Sequence, residues 1–420
     1  MRWSGSKDRE HEENSMHARH FLSLVGIGSL LVMVMYGCSE SQTPWDKHLN
    51  AGDRLFQQGQ FDDAEKELKA AVQLAEQFGE EDPRLTKTLT KLAMVYDAQG
   101  QYDKAEPLLQ RTVSLHEKAL DPKDPELAIS VSNLAALYQA QQQPDKAEPL
   151  FERALHIREQ ALGADHLDVV LDLKNLAGLY IAQEKYGQAR PYLERALGIT
   201  EKALGKDDPA LVESLNNLAL LYRAEEQYDK AIPLLQRAIT INEQALGQDS
   251  PGLIGSLNNL AFLHMSQGQY KKAEPLMRRV LNINELALGP ENPRLSPSLS
   301  NLADLYRTQG QYERAEPLLR RALNIHEEKF GKEDPKLASL LNNLGLLYYT
   351  QGKYHEAETL MKRTLVINEK ALGKDHPTVA RTLRNYAALL RKTKREKEAK
   401  VLETKAKAIL GKNKNGGSKT

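Results

Sequence analysis

The sequence predicts an all-α chain, an α-solenoid built from helix pairs, and three observations carry that prediction. The first is an internal repeat, the sign of an array rather than of one globular core. Ala105, Ala147, Ala189, Ala231, Ala273, Ala315, Ala357 and Ala399 follow one another at 42 residues, and Ala64 precedes the first by 41, which makes nine copies. The second is a helical period inside the copies. In the unit from Pro209 to Ser250, Leu211, Leu215, Leu218, Ala219 and Tyr222 form one apolar stripe. Ala231, Leu234, Leu235, Ala238, Ile239, Ile241, Ala245 and Leu246 form a broader one, which implies neighbours on more sides. The third is composition: 41% hydrophobic, 27% charged and only 6% aromatic residues suit helices rich in Leu, Ala, Glu and Lys more than sheets.

The chain opens with a segment that does not belong to the array. Residues Phe21 to Met35 are uncharged and mostly apolar, preceded by Arg19 and His20. That run is shorter than the roughly 20 residues a bilayer span needs and fits the apolar region of a signal peptide. The acidic stretch Asp8 to Glu13 is a poor lead-in, whereas a start at Met16 leaves the short basic Met-His-Ala-Arg-His, so Met16 is read as the start. Met35-Tyr36-Gly37-Cys38 resembles the lipobox of bacterial lipoproteins, with Tyr36 where a small residue is usual and Met35 where Leu is. The resemblance implies a signal peptide over 1–37, lipidation of Cys38 and a tether over 38–44. A cleaved secretory signal or a simple anchor with an incidental cysteine is the alternative. Cys38 is the only cysteine, which excludes an intramolecular disulfide.

Nine units follow, at about 45–82, 83–124, 125–166, 167–208, 209–250, 251–292, 293–334, 335–376 and 377–411. Each second helix is expected to end at a glycine such as Gly163, Gly205, Gly247, Gly289 or Gly373, in the left-handed conformation that satisfies terminal carbonyls. An Asp-Pro step then opens the next unit at Asp82-Pro83, Asp124-Pro125, Asp208-Pro209 and Asp334-Pro335, with Asp as N-cap and Pro at the first helical position. The turn between paired helices is Gln-Gly-Gln at Gln267-Gly268-Gln269 and Glu-Glu-Gln at Glu225-Glu226-Gln227. Pro107, Pro149, Pro191, Pro233, Pro275 and Pro317 are placed at the edge of the first turn of the second helices, where a missing N–H costs least. Arg391 to Glu398 makes the last pair polar, as a solenoid terminus requires. Residues 412–420 read as a disordered polar tail.

The spacing Leu215, Leu218-Ala219, Tyr222, Ala231, Leu235, Ala238 resembles the tetratricopeptide signature. The fuller wording Asn216-Asn217-Leu218-Ala219-Leu220-Leu221-Tyr222, Tyr228-Asp229-Lys230-Ala231, Arg237-Ala238-Ile239 and Ala245-Leu246-Gly247 is similar to the kinesin light chain repeat. The resemblance covers about Trp45 to Gly411 and implies a right-handed superhelix of helix pairs that binds proteins or peptides in a concave groove. The N-terminal heptad coiled coil of kinesin light chains has no counterpart here, which argues against a motor role.

Function classes are narrowed by what is missing. Fifty-seven basic residues balance fifty-seven acidic ones, so no positive excess draws the chain to nucleic acid. The eleven histidines are scattered, and neither metal-ligand spacings nor phosphate-binding or nucleophile motifs occur. Carboxylate pairs on repeated solvated faces are explained by solubility and i,i+4 pairing. No cofactor, metal or small-molecule substrate is expected, and no enzymatic activity.

One polar residue recurs in the first helices: Asn133, Asn175, Asn217, Asn259, Asn301, Asn343 and Asn385, each 42 apart. Two readings are open. On the first, each amide is a packing group that bonds backbone or an adjacent repeat; on the other, the row faces the groove, where the family resemblance puts it, and bonds the main chain of an extended peptide, since an amide both donates and accepts. On the second reading Leu220, Phe262 and Leu346, with Arg223, Arg307, Arg381 and Asp304, supply selectivity, slightly favouring acidic peptides. The chain is thus expected to be an exported scaffold in a bacterial envelope, membrane-bound through Cys38, with Ser39 favouring the outer membrane. The alternatives are an accessory subunit that braces a complex through its convex surface and, remotely, an enzyme with an unrecognised site.

Overall fold

The computed structural model describes residues 43–416. The apolar run Phe21 to Met35, the start at Met16 and the lipidation site Cys38 lie outside the described residues. Among those described the chain is all-α, with 18 α-helices, two short 3-10 turns and no strand. It divides into two compact units, Met1–Gln227 and Tyr228–Thr420.

The first unit contains α1 (Pro44–Gln57), α2 (Phe61–Glu76), α3 (Pro83–Ala98), α4 (Tyr102–Ala119), α5 (Pro125–Ala140), α6 (Pro144–Leu162), α7 (Val169–Ala182), α8 (Tyr186–Leu204) and α9 (Leu211–Ala224). The second contains α10 (Tyr228–Leu246), α11 (Ile254–Ser266), α12 (Tyr270–Leu288), α13 (Ser296–Thr308), α14 (Tyr312–Phe330), α15 (Leu337–Thr350), α16 (Tyr354–Leu372), α17 (Pro377–Lys392) and α18 (Glu396–Gly416). Odd-numbered helices are the first of each repeat and even-numbered ones the second. Within each unit the two helices of a repeat pack on each other, and each second helix packs on the first helix of the next repeat. This is solenoid stacking, in which an element touches little beyond its neighbours in the chain.

The repeated alanines explain why the pairs close. All nine, from Ala64 to Ala399, have no solvent exposure. A second small residue stands opposite, on the first helix, at Ala93, Ala135, Ala177, Ala261, Ala303 and Ala387, each at most 1% exposed. Leucines above and below, such as Leu89, Leu173, Leu257 and Leu341, are equally buried and supply most of the apolar area.

The caps extend the Asp-Pro pattern. Asp82, Asp124, Asp208 and Asp334 each accept a hydrogen bond from the backbone N–H two residues on. Ser250, Asn292, His166 and His376 do the same in four further repeats, so four different side chains serve one position, and in the first repeat Thr43 accepts instead from the N–H three residues on. Proline does not always begin an α-helix there: α9 and α15 start at Leu211 and Leu337, and 3-10 turns at Pro251–Leu253 and Pro293–Leu295 precede α11 and α13.

Three local expectations change. The second helices begin at Tyr102 and its equivalents, so Pro107 is the sixth residue of α4, one turn inside the helix; the carbonyl it leaves without an N–H belongs to the exposed Asp103, where solvent can replace the bond. The helix-ending glycines are not left-handed helical: Gly163 has φ 94° and ψ 152°, a region essentially closed to residues with a Cβ. The last helix runs to Gly416, past the boundary that polar composition puts at 411.

Candidate peptide-binding surface

A first helix has a buried face and an open one. In α5, Leu127, Val131, Leu134, Ala135 and Tyr138 are buried, while Ile129, Asn133 and Ala136 lie on the side turned from the core, at the i, i+4 and i+7 spacing of one helical face. In α7 the same positions hold Leu171, Asn175 and Gly178.

Along this face Asn133 and Asn175 are half-buried in the first unit, as are Asn259, Asn301, Asn343 and Asn385 in the second. Asn217 is more enclosed, at 9% exposure, and its Nδ2 has no hydrogen-bond partner among the described residues. The side chains of Asn133, Asn175, Asn259, Asn301 and Asn343 likewise make no hydrogen bond to another described residue. The packing reading of the ladder is met at one rung, where Asn385 Nδ2 donates to Asn342 Oδ1 at 3.5 Å, near the outer limit of a hydrogen bond. Leu220 and Phe262 are half-buried beside their asparagines, and Leu346 is buried at 8%. Arg223 and Arg307 are half-exposed and Arg381 is exposed. Arg307 is not free to meet a ligand charge, because its guanidinium donates to Asp304 Oδ1 from Nε at 3.0 Å and from Nη2 at 2.5 Å.

Other polar rows hold the repeats together. Tyrosines near the ends of the first helices donate to glutamates of the preceding second helix: Tyr138 to Glu106 at 3.0 Å, Tyr180 to Glu148 at 2.7 Å and Tyr222 to Glu194 at 2.6 Å. Tyr306 to Glu274, Tyr348 to Glu316 and Tyr386 to Glu358 do so at 3.1, 2.9 and 2.8 Å in the second unit. Burial and the adjacent carboxylate push the Tyr222 and Tyr348 phenols up to about 12, so they remain protonated donors. A second row joins successive second helices: Arg195 to Glu159, Arg279 to Glu243, Arg321 to Glu285 and Arg363 to Glu327, at 2.5 to 2.6 Å. Each of these arginines also donates to a backbone carbonyl in the loop leaving that preceding helix, at Ala164, Gln248, Pro290 and Lys332. The hydrogen-bonding capacity of these rows is spent within the protein, and that of most ladder asparagines is not.

The sequence reading passed over two features of the open face. Ile129 and Leu171 are 40% and 39% exposed, one turn before Asn133 and Asn175. Ion pairs also link consecutive first helices: Lys91 of α3 with Asp53 of α1 at 2.8 Å, and Lys174 of α7 with Glu213 of α9 at 3.1 Å. The signal for the first was present, because residues 129 and 171 are equivalent in the repeat and apolar where Lys87, Glu213, Ser339 and Arg381 are polar. Among the described residues no group of three His, Cys, Asp or Glu side chains is placed to hold a metal ion, and no helix is long and apolar enough to cross a membrane.

Comparison with known proteins matches this chain to a tetratricopeptide repeat model over residues 47–118, 126–202, 169–244, 253–328 and 336–412, and to a second such model over 90–161. No curated protein matches it. Among solved structures it is similar to a Podospora anserina kinesin light chain protein with nearly identical tetratricopeptide-like repeats, at 28% identity and a TM-score of 0.44, covering 48% of this chain and 96% of that one. BtubC (BKLC) from P. vanneervenii is 25% identical with a TM-score of 0.47, covering 59% and 93%. Aspartyl phosphate phosphatase F from Bacillus subtilis is 15% identical with a TM-score of 0.49, covering 90% and 96%.

Proposed function

The chain belongs to the tetratricopeptide repeat family, and on that premise we propose that it is a non-enzymatic interaction scaffold whose first-helix asparagines hold the main chain of an extended partner segment. The repeat scaffold fits a protein-interaction role. The observation that carries the finer reading is the set of half-buried ladder amides with no protein partner, beside tyrosine and arginine rows that are fully engaged. A polar group left unpaired in a partly dry groove gains from a ligand's carbonyl or N–H, at about 0.5 to 1.5 kcal/mol per net hydrogen bond.

The test compares proteins captured by proximity labelling with the full chain and with the pair Asn259→Ala, Asn301→Ala. Removing two bonds should weaken binding of a groove partner about five- to 150-fold while the melting temperature holds. A variant with a lowered melting temperature and an unchanged partner set would reject the groove, and an unchanged set at unchanged stability would favour bracing through the outer surface.

The proposal extends to place: a bacterial envelope protein tethered through a lipid on Cys38, with the outer membrane favoured. It rests on Gly37-Cys38 after a short apolar run. Mass spectrometry of the membrane-extracted protein should find a lipidated Cys38 at the N-terminus, and an unmodified cysteine would sink the tether.

A further inference from the structure

On the open face of the first unit two lysines are paired within the protein, Lys91 with Asp53 and Lys174 with Glu213, each pair bridging consecutive first helices, while Lys87 of α3 is exposed. Lys174 is only 18% exposed along its side chain, so its ammonium is committed to the pair. The repeat position that holds Lys87 on α3 is apolar on α5 and α7. Ile129 on α5 and Leu171 on α7 occupy equivalent repeat positions, each about two-fifths exposed, and Met94 on α3 is 48% exposed. Between these apolar side chains and the helix ends, the small residues Ala136 and Gly178 occupy the next turn beyond the asparagines.

We propose that this face takes an uncharged, apolar segment of a partner polypeptide in extended form. Its apolar side chains cover Ile129 and Leu171 and enter the space above Ala136 and Gly178, and its main chain bonds Asn133 and Asn175. The inference rests on the groove reading above and deepens it by naming the ligand chemistry. Charge complementarity selects that chemistry between α5 and α7: Lys174, the lysine beside Leu171 and Asn175, is already paired with Glu213 and offers an acidic peptide nothing to offset the dehydration of its carboxylates, whereas covering exposed Ile and Leu releases water from apolar area. The asparagines supply the complementary term, because a peptide main chain leaving water needs partners for its N–H and C=O groups.

The test is a selection of random twelve-residue peptides displayed on phage against the immobilised full chain. Enriched peptides are then synthesised with a fluorophore and titrated against three proteins of verified helicity and melting temperature: the unaltered chain, the pair Ile129→Glu, Leu171→Glu, and the pair Asn133→Ala, Asn175→Ala. Enriched peptides should be apolar with little net charge. They should lose affinity by about tenfold or more in the glutamate pair and about five- to 150-fold in the alanine pair. Acidic peptides, or apolar ones indifferent to the glutamate pair, would overturn the proposed chemistry while loss in the alanine pair preserved the groove. Peptides indifferent to both pairs, or no enrichment over the bare support, would overturn both readings.

Discussion

Arg158 Nε of α6 lies 2.5 Å from Asp172 Oδ2 of α7, with both side chains buried, and Ser132 Oγ donates to the other carboxylate oxygen at 3.1 Å. In other repeats the equivalent positions carry neutral pairs: His116 with Ser130, Asn284 with Ser298 and Asn368 with Thr382. Burial pushes the Asp172 carboxyl up, opposed by Arg158 and Ser132, so the pair exists against a dehydration penalty. Asp172→Ala should therefore destabilise by about 3 to 5 kcal/mol, since it strands a buried guanidinium whose Nη2 already lacks a partner among the described residues. Arg158→Asn combined with Asp172→Ser, which copies the neutral pair of a later repeat, should recover most or all of that loss. Urea unfolding of the two variants checks this, and a double variant as unstable as the single one would contradict it.

Equivalent glycines should respond in opposite directions. Gly52 and Gly345 occupy the repeat position that is alanine elsewhere. A Cβ on Gly52 would come within 2.6 Å of Leu68 Cγ, whereas one on Gly345 would meet Leu360 Cβ at 3.7 Å, an ordinary contact. Gly345→Ala should stabilise by about 0.5 to 1 kcal/mol, because glycine in a helix interior forfeits that much. Gly52→Ala should destabilise by about 1 to 3 kcal/mol through overpacking. Thermal melts of the two single variants distinguish them.

The turn between paired helices needs a residue with positive φ. Gly100 and Gly268 provide it at φ 70°, but Gln142 and Glu184 are forced to φ 58° and 59° at the same place. A left-handed residue with a Cβ costs roughly 1 to 2 kcal/mol, partly returned as extra unfolded-state entropy when glycine replaces it. Gln142→Gly and Glu184→Gly should each raise stability by about 0.5 to 1 kcal/mol, measured by denaturant midpoint at unchanged slope.

Acid should loosen the last repeats through Glu358. Burial raises its carboxyl, but hydrogen bonds from Lys362, Arg395 and Tyr386 outweigh that and hold it at about 2, against an ordinary 4.5. A carboxylate whose folded value is depressed contributes stability that is complete above its unfolded value and is lost as pH falls through its folded one. The contribution of roughly 2 to 3 kcal/mol should therefore be present above pH 4.5 and disappear by about pH 2. Between pH 5 and 2.5 the melting temperature of Glu358→Gln should fall less than that of the unaltered chain, and equal falls would contradict the assignment.

The helix pairs and their stacking were legible in the sequence for a physical reason. In a solenoid nearly every contact joins elements adjacent in the chain, so a 42-residue period with apolar positions at helical spacing specifies both the element and its neighbour. Ala105 and Leu215 each read correctly as buried from that period alone. The partners across each gap were not legible. Whether Tyr348 reaches Glu316, Arg321 reaches Glu285 or Lys174 reaches Glu213 depends on the rotation and stagger of one helix against the next, which a period does not contain. The same limit explains why Gly52 is crowded and Gly345 has room at one repeat position. It also explains why the pairing of the lysines on the open face could not be read along the chain. Arg307 and Asp304, three residues apart on one helix, are paired locally, but packing brought Lys91 to Asp53 and Lys174 to Glu213, and an ion pair formed within the protein removes charge from the surface that a ligand would meet.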